Sequence, residues 1–391
     1  MNFCGLICEF NPFHNGHEYI IQAAKEKTES EVICLMSGNF VQRGTPAITD
    51  KYTRAKHAVS AGANAVLELP TIYACSNAEN FATGAIKIFK ALGVKFLAFG
   101  IEETNLEVLQ KIADLKHENC KRFQNAFKNE IENGINYNTA LKRSIAKCLG
   151  EDVKDILDKP NNILAIEYLT AIKKLDAKIT PIAINRIDNG YNSSTNKNEF
   201  LSASGIRELI NKNKDYKDFV PKYSTQFEVF DNTHQKCYET LLINTLRNLT
   251  ATNLENFYDY TEGIEYRVKK ASDNFSTLAE ITENIVTPRY RISRVNKLLL
   301  YPMLKISKKI IAKSQTTKPA VKVLSIQKQN KYLLYNYNKS KINLVVTNAD
   351  YEALNKNQKE IFDIDLNASN IYNTIMQKPN NNDKKTGTMF I

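Results

Sequence analysis

Apolar and polar positions alternate between two periods along the first part of the chain. Mainly apolar runs, Phe3-Cys4-Gly5-Leu6-Ile7-Cys8, Val32 to Met36, Ala65 to Leu69 and Lys95 to Phe99, have the length and composition of buried strands. Between them the period lengthens to that of a helix. Gly16 to Lys27 carries an apolar face at Tyr19, Ile20, Ala23 and Ala24, a second helix runs to about Ala61 with Asp50 as its cap, and a third spans Ala78 to Leu92. Such repeated strand-helix alternation predicts an α/β fold with a parallel sheet covered on both faces. Helical patterns then hold from Glu103 to Gly150, a fifth strand is expected over Ile179 to Ile184, and beyond Val220-Pro221 the chain reads as helical to about Lys313. Ala320 to Ile326 and Ile342 to Thr347 have strand character and Asp350 to Phe362 helical character, while the last dozen residues read as a frayed end. The expected division is 1–220 and 221–391, the second part basic and mostly helical with a small mixed end.

At 391 residues, 43% hydrophobic and 24% charged, the composition is that of a globular protein with more than one core. No run approaches the roughly 18 apolar residues of a membrane helix, and Met1-Asn2-Phe3 leads straight into a strand without a basic leader, so a cytoplasmic protein with no membrane partner is expected. Seven cysteines without C-x-x-C spacing read as reduced thiols. The net charge of +11 points to a polyanionic partner. Its distribution sharpens that reading. From Asn284 to Ala349 there is no Asp or Glu, while Arg289, Arg291, Arg294, Lys297, Lys305, Lys308, Lys309, Lys313, Lys318, Lys322, Lys328, Lys331, Lys339 and Lys341 all occur, interleaved with Tyr290, Tyr301, Tyr332, Tyr335 and Tyr337. A one-sign run repels itself unless something anionic lies against it, and nucleic-acid contact is the reading favoured over a solvated lysine surface.

Chemistry concentrates in Glu9-Phe10-Asn11-Pro12-Phe13-His14-Asn15-Gly16-His17, between the first strand and the first helix. A strand, a turn and a helix N-terminus aim unpaired backbone N–H groups and the positive end of the helix dipole at one spot, which suits a phosphate. His14 and His17 add imidazole donors, and Gly16 is expected to let a nucleotide approach the backbone. The competing readings of a His-x-x-His pair are a metal site and two surface histidines. No third ligand at metal spacing follows nearby, and the strand-turn-helix context favours phosphate.

In parallel sheets ligands bind beyond the carboxyl ends of the strands, where the strand order reverses. The loops starting at Glu9, Ser37, Pro70 and Gly100 are expected at that edge. Gly100 is a candidate wall of the site or an ordinary turn glycine. Arg43 can reach a phosphate or carboxylate from a polar loop; Lys51 and Arg54, one helical turn apart, can do likewise, with a solvated helix face as the favoured reading of them. Asn161 and Asn162 follow Pro160; they read as an N-cap or as amides suited to a nucleobase edge. Asp188 to Asn198 reads as a polar, mobile loop that can act as a lid. Ser202 and Ser204 are N-cap candidates for a later helix. Arg207 in the first turn of that helix, where a cation is disfavoured, suggests an anion nearby.

These runs resemble a known family. His14-Asn15-Gly16-His17 is similar to the HxGH signature of the nucleotidyltransferase superfamily, and Ser202 to Arg207 resembles its second signature, with Gly205 where Thr or Ser is usual. Together with Met36-Ser37-Gly38-Asn39-Phe40-Val41-Gln42-Arg43-Gly44 and Lys159-Pro160-Asn161-Asn162-Ile163-Leu164, and with Glu262-Gly263-Ile264-Glu265-Tyr266-Arg267 further on, the chain resembles the bacterial tRNA(Met) cytidine acetate ligase family. The resemblance implies a Rossmann-like catalytic domain of the HxGH type over 1–220 and a tRNA-binding region over 221–391. It also implies a two-step reaction. Acetate attacks the α-phosphate of ATP, supplied with Mg2+ and without a protein metal site, and acetyl-adenylate then acetylates N4 of the wobble cytidine of elongator tRNA(Met), with no DNA partner. It further implies that Ile7, Cys8, Glu9, Phe10, Asn11, Pro12, Phe13, His14, Asn15, Gly16, His17, Glu18, Tyr19, Ile20, Gly100, one of Asn161 and Asn162, and Arg186 bind ATP. The resemblance to the second signature further implies Ser202 and Ser204 as the hydroxyl donors to the triphosphate, and on physical grounds we add Arg207 beside the catalytic His14 and His17, and Arg43 as an acetate or phosphate ligand. Arg289, Arg291, Arg294, Lys297, Lys305, Lys308, Lys309 and Lys313 are the candidate tRNA contacts. Two other readings of the residues stand beside this one: a small-molecule nucleotidyltransferase, and a non-catalytic RNA-binding protein on a nucleotide fold.

Overall fold

The computed structural model describes residues 2–102, 105–117, 120–135, 137–151, 153–185, 200–380 and 382–391. The expected lid loop 188–198 and Arg186 lie outside the described residues. The strands in chain order are β1 (Phe3–Cys8), β2 (Glu31–Ser37), β3 (Phe40–Val41), β4 (Thr45–Pro46), β5 (Ala65–Leu69), β6 (Phe96–Ile101), β7 (Thr180–Asn185), β8 (Ala320–Ile326), β9 (Asn343–Val345) and β10 (Met389–Phe390). One sheet runs β10-β8-β5-β2-β1-β6-β7, with β9 paired to β8, and β3 and β4 form a separate antiparallel hairpin. The five strands β5, β2, β1, β6 and β7 are parallel to one another, as the alternation predicts. Side-chain alternation sorts them between two cores. Ile33, Leu35, Leu67 and Leu69 pack with helices Ala78–Leu92 and Pro160–Lys174 on one face, while Cys4, Leu6, Val32, Cys34 and Val66 pack with helices Asn15–Thr28 and Lys51–Ser60 on the other.

The sheet crosses the expected boundary at residue 220. Strand β8 pairs antiparallel to β5, so the C-terminal part completes the same sheet, and the helices from Asn232 to Leu304 build a third core with Lys356–Ile375. The seam is polar and specific. Tyr301 Oη donates to Cys75 O (3.0 Å), Tyr372 Oη to Ala47 O (3.0 Å) and Lys297 Nζ to Ser76 O (3.3 Å). At Gly44 the backbone has φ +76°, and a Cβ there would lie 2.8 Å from the Lys297 backbone nitrogen. The β3–β4 hairpin is thus seated directly on helix Ile292–Leu304.

Two expectations are overturned here. The chain end is not frayed: β10 pairs with β8, and Asp383 is buried, with Oδ2 2.5 Å from Lys51 Nζ. Lys51 and Arg54 are not a solvated face, since both are fully buried. Lys51 Nζ also donates to both oxygens of Glu68 (2.8 and 2.7 Å), and Asp383 takes further donors from Tyr52 Oη and Ser369 Oγ. Burial works against the ammonium, yet Asp383 and Glu68 hold its pKa above the ordinary lysine value. Arg54 spends its guanidinium on main-chain carbonyls: Nη1 on Glu9 O (2.6 Å) and Ser37 O (3.1 Å), Nη2 on Gly38 O, and Nε on Thr49 O (3.1 Å). Its burial ties the ends of β1 and β2 together. The period that marks a helix face cannot tell a solvated cation from one whose partners lie on other segments.

Candidate active site

Strand order reverses between β1 and β6, and a cleft of about 530 Å³ opens at their carboxyl ends. Helix Asn15–Thr28 starts at its floor with His14 as the N-cap. Gly16 N donates to His14 Nδ1 (3.0 Å), and His14 N donates to His17 Nδ1 (3.3 Å), a reciprocal capping box in which imidazoles stand where a hydroxyl or carboxylate usually does. The two rings stack with centroids 3.6 Å apart. An Nδ1 that accepts a hydrogen bond carries a lone pair, so the proton of each neutral ring belongs on Nε2. Gly16 lines the cleft and has a further use: a Cβ there would lie 2.9 Å from His14 Cε1, so its absence makes room for the capping imidazole.

The opposite wall comes from helix Ala203–Asn211. Ser202 is its N-cap, accepting from Gly205 N (3.2 Å), and its Oγ lies 2.9 Å from Ser204 Oγ. Arg207 reaches back across the cleft to donate to Asn11 O (2.5 Å). The third wall is the β3–β4 hairpin, where Gln42 N donates to Glu9 Oε1 (2.7 Å) and Arg43 is exposed beside it. Burial holds the Glu9 carboxyl above its usual range, against the Gln42 amide and the charges of Arg54, Arg207 and Arg43. Paired imidazoles, a helix N-terminus, two hydroxyls and two cations around one cleft are a donor set suited to a polyphosphate.

The family model of the HIGH nucleotidyl transferases matches residues 1–387. The chain belongs to that family. Within it, proteins named tRNA(Met) cytidine acetate ligase are its relatives: one from Thermoanaerobacter sp. (strain X514) is 35% identical over 385 residues, 95% of each chain, and one from Acetivibrio thermocellus is 33% identical over 399 residues, 97% of this chain and 96% of that one. The crystal structure of apo Thermotoga maritima TmcAL superposes with a TM-score of 0.90 at 26% identity, over 100% of both chains. A second structure of that protein, bound with alpha-thio ATP, gives 0.88 at 25% identity, again over 100% of both chains. The chain is thus a member of the tRNA(Met) cytidine acetate ligase family, with the α/β architecture that its motifs predict.

Most of the residues singled out from the sequence of this family member meet at the cleft. Ile7, Cys8, Glu9, Phe10, Asn11, His14, Gly16, His17, Tyr19, Ile20, Arg43, Gly100, Asn161, Ser202, Ser204 and Arg207 line it. Tyr19 and Ile20, read both as part of the helix's apolar face and as ATP-binding candidates, border the cleft, and Ile21 is the fully buried residue of that turn. Gly100 lies inside β6, paired with Ile184, and is not in a loop. Several candidates point elsewhere. Phe13 is fully buried, Asn15 Nδ2 donates to Asp218 O (2.9 Å), and Glu18 Oε1 accepts from Tyr223 Oη (2.8 Å). Pro12 is not among the lining residues. Neither asparagine after Pro160 is the N-cap, which is Lys159, because Pro160 itself takes the first helical position. Asn162 is fully buried and bonds both main-chain groups of Glu102, accepting from N (2.9 Å) and donating to O (3.0 Å), while Asn161 donates to Glu102 Oε1 (2.5 Å) on the cleft wall. Gln42, Thr45, Phe81, Glu102, Tyr168 and Phe200 also line the cleft and were not read from the sequence. They carry no local motif and arrive from separate elements.

The acid-free run 284–349 finds its anions elsewhere in the chain. Arg294 forms a two-pronged pair with Asp259 (2.7 and 2.8 Å) and lies over the Tyr290 ring, Arg289 pairs with Glu262, and Lys313 with Glu360. Lys297 and Lys322 are buried. Tyr301 is buried, and Tyr332 bonds Glu31, so of the five interleaved tyrosines only Tyr335 stands 72% exposed. Arg291, Lys305, Lys308 and Lys309 remain exposed.

Proposed function

We propose that this protein activates acetate with ATP as acetyl-adenylate and transfers the acetyl group to N4 of the wobble cytidine of elongator tRNA(Met). The observation that carries the reading is the His14–His17 capping pair at the mouth of a phosphate-binding helix, facing Ser202, Ser204 and Arg207 across one cleft. The Thermotoga maritima relative solved with alpha-thio ATP supports ATP as the nucleotide, and the relatives' names support acetate and tRNA(Met). In this reading the imidazole Nε2–H groups, the helix N-terminus and Arg207 hold the triphosphate, and Mg2+ travels with it. Asn161 with Gly100 borders the nucleoside, and Arg43 holds the acetate carboxylate at the hairpin. Carboxylate attack on the α-phosphate builds charge on phosphoryl oxygens, so positioned donors do the catalysis and no side-chain nucleophile is needed. Residues 1–220 build the cleft and 221–391 carry the tRNA, as a division of surfaces on one sheet. A cytoplasmic place of work follows from the substrate.

Pyrophosphate release in the absence of tRNA tests the first step. It is expected to require acetate and to fall about a hundredfold in His17→Ala. Release that is indifferent to acetate would support the small-molecule transferase instead.

A further inference from the structure

Acetyl transfer needs a proton acceptor that the phosphate-binding groups do not supply. When N4 of cytidine attacks the acetyl carbon, an N–C bond forms and the C–O bond to the adenylate breaks, its electron pair leaving on the AMP phosphate. One N4 proton then has to go. Arg43 and Arg207 are donors only, and His14 and His17 commit Nδ1 to backbone N–H groups. Among the described residues, two carboxylates line the cleft, Glu9 and Glu102. Glu102 has Oε1 bonded to Asn161 and Oε2 buried without a partner, so neither oxygen is open to an incoming base. Glu9 differs. Its Oε1 accepts from Gln42 N (2.7 Å), which fixes the side chain, while Oε2 takes no donor from the described residues and is accessible on the cleft wall.

We infer that Glu9 is the base that takes the N4 proton as the acetyl group passes from adenylate to cytidine. Its surroundings suit the task. Gln42 and Arg43 are neighbours on the hairpin, so the carboxylate sits beside the cation assigned to acetate, and Arg207 faces it from helix Ala203–Asn211. Gly44 of the same hairpin rests on helix Ile292–Leu304, so this corner of the cleft adjoins the part of the chain assigned to tRNA. The groups that act on Glu9 are Arg43 from the hairpin, Arg54 from helix Lys51–Ser60, Arg207, the thiols of its chain neighbour Cys8 and of Cys75, and the Tyr168 phenol from helix Pro160–Lys174. Burial outweighs the three arginines and leaves the carboxyl above its ordinary range, toward the pH at which a general base works best. Once transfer is complete, the proton passes from Glu9 to solvent as product leaves.

The inference rests on the acetate ligase reading, and the test separates the two. Hydroxylamine, a nucleophile that needs neither tRNA nor a base, traps acetyl-adenylate as acetohydroxamate and reports the first step; single-turnover acetylation of tRNA reports the second. A wild-type protein that forms no hydroxamate refutes the ligase reading itself. Glu9→Gln keeps an oxygen for the Gln42 N–H and removes the base. The ratio of acetylation to hydroxamate formation is expected to fall about a hundredfold, and the rise of acetylation with pH that the wild type is expected to show is expected to vanish in this variant. Glu9→Asp, which keeps a carboxylate, retains the pH rise at a lower rate. A ratio within about threefold of the wild type, a pH rise that persists in Glu9→Gln, or loss of hydroxamate and acetylation by the same factor overturns the assignment.

Discussion

His14 and His17 lie ring on ring, 3.6 Å apart, each accepting a backbone N–H at Nδ1, so the pair that faces the cleft is also the cap of the helix behind it. Structure and chemistry can therefore be separated by substitution. His14→Ala removes a cap worth about 1 kcal/mol together with a donor worth about 3 kcal/mol of transition-state stabilisation. His14→Asn restores a capping oxygen without the Nε2–H. The expected outcome is a thermal midpoint close to the wild type in His14→Asn with adenylation still about a hundredfold slow, read by melting and by pyrophosphate release.

Asp383 and Lys51 make the C-terminus part of the catalytic body. Removing one member of a buried ion pair leaves the other charge unmatched, at a cost of about 3–5 kcal/mol. Asp383→Ala is expected to lose stability on that scale in urea unfolding, because Lys51 keeps only Glu68 and Tyr52 and Ser369 lose an acceptor. A change of less than about 1 kcal/mol would place the segment outside the cooperative unit.

Asp365, fully buried and accepting from Thr71 N (2.6 Å), gives a pH signature. Burial and the nearby Glu68 charge push its carboxyl up to about 8. The native state therefore holds a proton that the unfolded chain releases near pH 4, and this contribution to stability is fully present below about pH 4 and lost as pH rises through 8. Asp365→Asn keeps an oxygen for Thr71 N–H. It is expected to flatten the decline in stability across that window, measured by denaturant titration at stepped pH.

The cations of the acid-free run divide by partner. The triple variant Lys305→Ala, Lys308→Ala, Lys309→Ala is expected to weaken tRNA binding about tenfold or more and to lower the slope of log K against log salt by about 2–3. Arg294→Ala is expected to lower the melting temperature instead, because Asp259 loses both of its bonds. Filter binding at several salt concentrations checks the first and thermal melting the second.

How far the sequence could be read depends on how local each cause is. Strands β1, β5 and β8 and the helix Ala78–Leu92 were legible to the residue, because period and caps are properties of neighbours in the chain. Ser202 was legible as a cap for the same reason, whereas His14 and His17 were placed at the helix start as phosphate donors and their capping role appears only in the structure. Lys51, Arg54 and Asp383 were misread because their partners lie far away: 332 residues separate Lys51 from Asp383. Charge along the 284–349 run misleads in part for the same reason, since Glu262, Asp259 and Glu360 pair with Arg289, Arg294 and Lys313 from outside the window, while Arg291, Lys305, Lys308 and Lys309 stay exposed. Strand β8 was visible as a strand, but its place beside β5 depends on the third dimension. Asn161 and Asn162 are adjacent in sequence and differ in role by which way a helical turn points them.

Incubation of the protein with ATP, labelled acetate and total bacterial tRNA, followed by digestion to nucleosides, tests the central claim most directly. Label is expected in N4-acetylcytidine from a single tRNA species, dependent on ATP and abolished in His17→Ala. Acetate-dependent release of pyrophosphate with no label in any nucleoside would contradict that claim, leaving the adenylating cleft but assigning the acetyl group to another acceptor.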